Sequence, residues 1–362
     1  MRAFFTLPIL LLAAASGFAQ DSLVVLAANR SGRIDAFDQS LGRLGSIGVN
    51  QLVESISVNP AGRRVYIAQE SRGECCGLYT LEMDTHRMCP FAGPAPAMFA
   101  VPSPDGNWVF TQTGLGLQAY SADKARPGLK TMKASGPYNL QPSPDGKWLL
   151  GLANSGRPSL DVFDLRHMET DFHDMELDHR IAIPTGPAAG AWAGDSFYVF
   201  TYAAPGLGKL WSVKPEDTQL SQPREIRLPD VHGSCNEPVL LMLAGAPGKL
   251  FLAEAFGYKV DRRNACPGTP GGVYVIEPST GHVSRMAESV HVNRMAVSPD
   301  GQDLYVIESG SQAKGGDVRL VHFFNRTSRS IALESGDWSL AVTHTPYASL
   351  PRGYVRAPMA CH

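Results

Sequence analysis

Charge is scarce in this chain and nearly balanced. Only 18% of its 362 residues are charged, and the formal net charge is −2. No run of Lys or Arg occurs; the nearest approaches, Arg63-Arg64 and Arg262-Arg263, fit solvated turns. A basic nucleic-acid-binding surface is therefore excluded as an expectation. Long apolar runs are missing after the first twenty residues, so no membrane span of ~20 residues is expected. No Gly-x-Ser-x-Gly elbow, Walker loop or His-Glu-x-x-His pair appears. Cys75 and Cys76 are adjacent rather than spaced for redox chemistry. The terminal Pro358-Met359-Ala360-Cys361-His362 ends like a haem-attachment motif, but Pro358 stands where the first Cys belongs. No cofactor is assigned.

What the chain does have begins with MRAFFTLPILLLAAASGFAQ. One Arg, an apolar run from Phe4 to Ala15, and small Gly17 and Ala19 at −3 and −1 of a cut after Ala19 make a secretory leader. The expectation is a signal peptide over 1–19, one mature domain over 20–362, and a secreted or periplasmic location. Six cysteines agree with an oxidising compartment. Loop proximity pairs Cys235 with Cys266, and Cys75 or Cys76 with Cys89. Cys361 takes the leftover partner or stays free.

Gly 36 and Pro 27 make a turn-rich chain, which favours many short strands over long helices. One phrase recurs: VPSPDGNWVFTQ at 101–112, QPSPDGKWLLGL at 141–152, VSPDGQDLYVIE at 297–308, and SVNPAGRRVYIA at 57–68. Each copy is an apolar strand, a Pro/Asp/Gly turn and a second strand, followed by two more strands. Units begin near 51, 96, 136, 187, 236 and 290, a spacing that matches propeller blades of ~40–50 residues. The ends complete the count. SLVVLAAN, GRIDAFD and RLGSIG supply three strands with no first strand, and DWSLAVTHTP at 337–346 supplies one first strand with no blade after it. Three and one make a seventh blade, so the expected fold is an all-β, seven-bladed propeller closed by pairing its C-terminal strand with its N-terminal blade. Asp105, Asp145 and Asp300 are expected to hold their own turns, and Trp108 and Trp148 to pack between blades.

The repeat spelling resembles that of the YVTN-type propellers and the related lactonase-type and TolB-like propellers of secreted bacterial proteins. The literal tetrapeptide is absent, and Leu304-Tyr305-Val306-Ile307 is its nearest form. The resemblance implies the fold and leaves activity open. Lactonase-type propellers tend to carry an acidic residue just after the second strand, a place held here by Glu254 and Glu308.

Candidate chemistry collects at the mouth, where first strands begin and second strands end. The candidate ligand-binding residues are Asn29, Glu54, Gln69, Asn139, Asn154, Tyr202, Glu237, Asn293, Asp337 and Trp338, with Arg294, Arg30 and Arg72 as cations. The first reading is a monomeric propeller binding a small molecule or protein partner at this funnel. A second is a lactone or ester hydrolase, with Glu254 or Glu308 as base and Arg294 steadying the oxyanion. A third is a non-catalytic subunit of a periplasmic oxidoreductase such as an amine dehydrogenase. Within RHMETDFHDMELDHR, His167, His173 and His179 are weak candidate metal ligands, and a solvated hairpin extension explains the segment better.

Overall fold

The computed structural model describes residues 22–49, 52–69, 77–92, 97–113, 116–122, 129–132, 138–153, 158–168, 177–184, 188–204, 206–229, 240–255, 272–288, 292–309, 318–324, 327–345, 350 and 353–359. The chain opens with β1 (Ser22–Asn29), β2 (Arg33–Asp38) and β3 (Arg43–Gly48). Blade 1 is β4 (Ser55–Val58), β5 (Arg64–Ala68), β6 (Leu78–Glu82) and β7 (Arg87–Ala92). Blade 2 is β8 (Ala97–Pro102), β9 (Trp108–Thr113), β10 (Gly116–Ser121) and β11 (Leu129–Met132). Blade 3 is β12 (Tyr138–Pro142), β13 (Trp148–Ala153), β14 (Ser159–Asp164) and β15 (Leu177–Ala182). Blade 4 is β16 (Ala188–Ala193), β17 (Ser196–Ala204), β18 (Leu207–Val213) and β19 (Arg224–Arg227). Blade 5 is β20 (Leu240–Ala246), β21 (Lys249–Ala255), β22 (Gly272–Glu277) and β23 (His282–Glu288). Blade 6 is β24 (Val292–Val297), β25 (Asp303–Ser309), β26 (Val318–Phe324) and β27 (Thr327–Leu333).

Blade 7 is assembled from both ends of the chain. β28 (Trp338–Thr345) pairs antiparallel with β1, in register from Asn29↔Trp338 to Ser22↔Thr345. The molecule is a seven-bladed β-propeller closed by its C-terminal strand. One element goes beyond four strands per blade. β29 (Gly353–Arg356) runs parallel to β3 as a fifth strand, and past it Met359 bridges to Met88 of β7. The Met88 N–H donates to the Pro358 carbonyl at 3.1 Å, so the tail fastens blade 7 to blade 1 at the rim.

The core lies between blades. Tyr66 and Leu78 of blade 1 pack on Ala97 and Val109 of blade 2; Phe110 and Leu117 of blade 2 pack on Leu140 and Leu149 of blade 3. Val25, Phe37 and Trp338 of blade 7 pack on Tyr305 and Leu320 of blade 6. Among the described residues seven such clusters follow one another around the ring. Trp148 sits in the cluster shared by blades 3 and 4, with the Arg166 guanidinium 4.7 Å above its ring.

The repeated turn has a compact hydrogen-bond pattern. The Ser143 hydroxyl donates to Asp145 at 2.6 Å and accepts from the Trp148 N–H at 2.9 Å, while Asp145 also accepts from the Lys147 N–H at 3.1 Å. Ser298, Asp300, Gln302 and Asp303 repeat this at 2.5, 2.9 and 3.1 Å, and Ser103, Asp105 and Trp108 do the same. The Ser298 hydroxyl and Gln302 N–H together hold the Asp300 carboxyl below the usual range. Gly146 and Gly301 both have φ +72, in the left-handed region that a side chain disfavours by about 1–2 kcal/mol.

Two expectations follow from this architecture. Gly146→Ala should cost only that backbone penalty, because nothing lies within 4 Å of the added Cβ. Gly301→Ala should cost more, since its Cβ would stand 2.4 Å from Ala246 Cβ in the next blade. Urea melts of the two variants test the order. Truncation after Gly336 removes β28 and opens two sheet edges, so the chain should aggregate; a monomer with unchanged melting would refute closure as the source of cooperativity.

Candidate functional site

Strand register places the mouth. At one end of each blade the start of the innermost strand faces the end of the second: Ser55↔Ala68, Ala97↔Thr113, Tyr138↔Ala153, Ala188↔Thr201, Leu240↔Ala255 and Val292↔Glu308. The Ser-Pro-Asp-Gly turns occupy the opposite end, the base.

At the closure seam four candidates meet around Arg30. Its N–H donates to the Asp337 carbonyl at 2.9 Å, and its guanidinium lies 3.4 Å from the Asp337 carboxylate and 3.7 Å from that of Glu54. Asn29 is buried and its side-chain oxygen accepts from the Ser31 N–H at 2.7 Å. Trp338 is buried, with its indole N–H donating to the Glu334 carbonyl at 2.9 Å. These ion pairs are wet and loose, so their contribution to stability is small. They set a polar corner at the rim of the mouth.

The remaining candidates are more dispersed. Gln69 is buried just past β5, and Tyr202 is buried near the mouth end of β17. Asn139 is exposed on β12. Arg294 is exposed and donates to its neighbour Asn293's carbonyl at 2.8 Å. Asn154, Glu237, Cys76, Cys235, Cys266 and His173 lie outside the described residues. Cys89 is buried on β7, opposite Thr80 in register. His167 is exposed in the turn after β14. His179 is held at both ring nitrogens, by the Asp178 carboxylate at 2.6 Å and the Asp217 carbonyl at 2.7 Å. Among the described residues no group of three His, Cys, Asp or Glu side chains could hold a metal.

The two acidic residues after second strands differ sharply. Glu308 is half-buried; burial raises its carboxyl's pKa, and Arg319 across the strand pair offsets only part of that rise. Glu254 is 0% exposed, and neither carboxyl oxygen has a hydrogen-bond partner among the described residues. Strand alternation puts it on the same face of β21 as Leu250 and Leu252. Those leucines pack with Phe200 and Tyr202 of β17 and Tyr274 of β22 in the seam between blades 4 and 5. Glu254 therefore caps the mouth end of that apolar seam. Burial alone pushes its pKa up to about 7.

That shift has a sign. The folded-state value lies above the ordinary 4.5, so the buried neutral acid costs nothing electrostatic below pH ~4.5. Destabilisation grows as pH rises from there to ~7 and is constant above. Glu254→Gln should thus stabilise the protein by up to about 3 kcal/mol at alkaline pH and much less at pH 4. Denaturant midpoints of both proteins across that range check it; parallel curves would show that Glu254 is not perturbed.

No family model and no curated protein matches the chain. Similarity to solved structures is extensive in shape and low in sequence. The periplasmic gluconolactonase of Pseudomonas aeruginosa is 15% identical with a TM-score of 0.60, over 90% of this chain and 100% of that one. A Bacteroides fragilis protein provisionally assigned as a 6-phosphogluconolactonase is 12% identical with a TM-score of 0.60, over 90% and 99%. The hydrazine synthase of Kuenenia stuttgartiensis is 14% identical with a TM-score of 0.54, over 74% and 76%. At such identities the likeness shows the propeller fold, which this chain shares with lactonases and with a quite different enzyme.

Proposed function

We propose that this protein is an exported propeller that binds a small polar molecule at its mouth, with Glu254 as the anchoring group. The observation that carries this reading is the Glu254 carboxyl itself, fully buried and with no hydrogen-bond partner for either oxygen among the described residues. A buried polar group without partners costs about 1–3 kcal/mol, and nothing in the blade's packing returns it. A ligand entering between blades 4 and 5 would supply the missing hydrogen bonds. With a pKa of about 7 the group can donate as an acid or accept as a carboxylate near neutrality.

A second reading, hydrolysis of a lactone or similar ester, rests on the same pKa. A carboxylate poised near 7 is matched to general-base work at neutral pH, where an ordinary one is too weak. The presence of lactonases among the similar structures supports the substrate class. In this reading Glu254 removes a proton from water as that water attacks the carbonyl carbon. The ring C–O bond then breaks as the tetrahedral intermediate collapses, and the proton passes to the leaving oxygen. Arg294 is the proposed cation for the developing oxyanion.

Two measurements separate the readings. Native mass spectrometry of protein purified from its own host should show a small molecule retained by the wild type and lost from Glu254→Gln. Equal retention by both would remove Glu254 from the site. Wild-type protein is then screened on aldonolactones and aryl esters. Turnover falling ~10²–10⁴-fold in Glu254→Gln establishes the hydrolase; no turnover above background ends that reading and leaves the binder.

A further inference from the structure

A second concave site lies on the base, remote from the mouth. It is a cleft of about 480 Å³ between blades 6 and 7, within the ~300–1,000 Å³ range of small-molecule sites. Its floor comes from one sheet face. Register places His322 opposite Tyr305 and Phe324 opposite Asp303 on the β25–β26 pair, and Arg329 of β27 opposite His322. Alternation aligns Asp303, Tyr305, His322, Phe324 and Arg329 toward blade 7.

The centre of this site is a fixed imidazole. Asp303 is 0% exposed and its carboxylate binds His322 Nε2 at 2.5 Å. Its other oxygen accepts from the Gln39 side chain of blade 7 at 2.8 Å. The His322 ring stacks on Tyr305 at 4.6 Å with an 11° interplanar angle, and the Tyr305 hydroxyl donates to the Gln39 carbonyl at 3.2 Å. A carboxylate can only accept, so Nε2 carries a proton in this contact, and Nδ1 is an acceptor whenever the ring holds that one proton alone. His322 is only 8% exposed, lines the cleft, and its Nδ1 has no hydrogen-bond partner among the described residues. An inter-blade clasp alone needs Asp303 and Gln39. It does not need a stacked, locked imidazole in the lining of a cleft.

The surrounding groups define the ligand's chemistry. Phe324 is 39% exposed, an aromatic plane at the cleft wall. Ser40 and Thr327 carry hydroxyls there, and Arg329 presents an exposed planar donor. Asp38 is occupied by the Ser40 N–H, the Ser40 hydroxyl and the Gly42 N–H, each at 2.8 Å. With carboxylates beside a single guanidinium, the site disfavours an anion. Planar polar groups around one open aromatic face suit a neutral ring dense in hydroxyls. We propose that this base cleft binds a neutral saccharide, with one sugar hydroxyl donating to His322 Nδ1, Arg329 donating to sugar hydroxyl oxygens, and Phe324 covering the sugar's apolar face.

The test uses the full-length protein with glucose, galactose and N-acetylglucosamine as separate probes. Binding is followed by saturation-transfer NMR and by the ¹⁵N shift of His322 in ¹⁵N-histidine-labelled protein. At least one sugar should bind saturably, moving the Nδ1 resonance and leaving Nε2 nearly unchanged. Phe324→Ala and Arg329→Ala change exposed side chains and keep the fold; each should weaken that sugar ~10-fold. Glu254→Gln should leave it unaltered, so this inference and the mouth reading fail separately. No saturable binding of any of the three sugars, or binding undiminished in the Phe324→Ala/Arg329→Ala double variant, overturns the proposal.

Discussion

Every hydrophobic cluster among the described residues is shared by two neighbouring blades, so no blade buries its faces alone. A four-stranded sheet with two apolar faces must bury both against other elements. The ring resolves this by making each blade its neighbour's cover. Blade 7 bears the heaviest demand, because its innermost strand is β28 while the other three come from the N-terminus. Pairing of β1 with β28 therefore completes two seams at once, the one holding Tyr305 and Phe37 and the one holding Ile47 and Ile56. The C-terminal strap on β3 reinforces the same join from outside.

That circular core also explains where polar chemistry can reside. The seams are apolar along their length and open only at the two ends. At the mouth end of one seam sits Glu254, and at the base end of another sits the Asp303–His322 pair. The two show opposite solutions to burying charge. Asp303 is compensated by an imidazole and an amide on either oxygen, whereas Glu254 is left to lower its charge by holding a proton. A compensated carboxylate is what rigid architecture uses. The uncompensated one is the group on which the proposed mouth site rests.

Much of the fold was legible because its signals are local. Ser143-Pro144-Asp145-Gly146 contains every donor and acceptor its turn uses, so the repeat could be counted without tertiary knowledge. The strand supply at the two ends likewise forced the closure. β29 was not legible: Gly353-Tyr354-Val355-Arg356 is short, lacks a turn phrase, and acquires its partner 308 residues away in register (Gly353↔Gly45). At the mouth, strand order alone located Glu54, Asp337 and Trp338 near one another. The contrast between Glu254 and Glu308 depends on how deep each lies and on Arg319, which no spacing encodes. His322 reads in sequence as one residue of an apolar strand, VRLVHFF. Its role becomes visible only when register sets it beside Tyr305 and a turn of another blade delivers Gln39.

The placement of β28 also imposes an order on the chain's early life. β1 is among the first strands synthesised, yet the edge it offers to β28 has no partner until residues 338–345 exist. Blades 1 to 6 can form sheets as they emerge, but the ring stays an open arc until residues 338–345 leave the ribosome. Domains generally fold as units during synthesis when their contacts are near in sequence; here the decisive contact joins the two ends. Closure of the ring is thus deferred until β28 has been made. A polypeptide built this way remains extensible for as long as β28 is withheld.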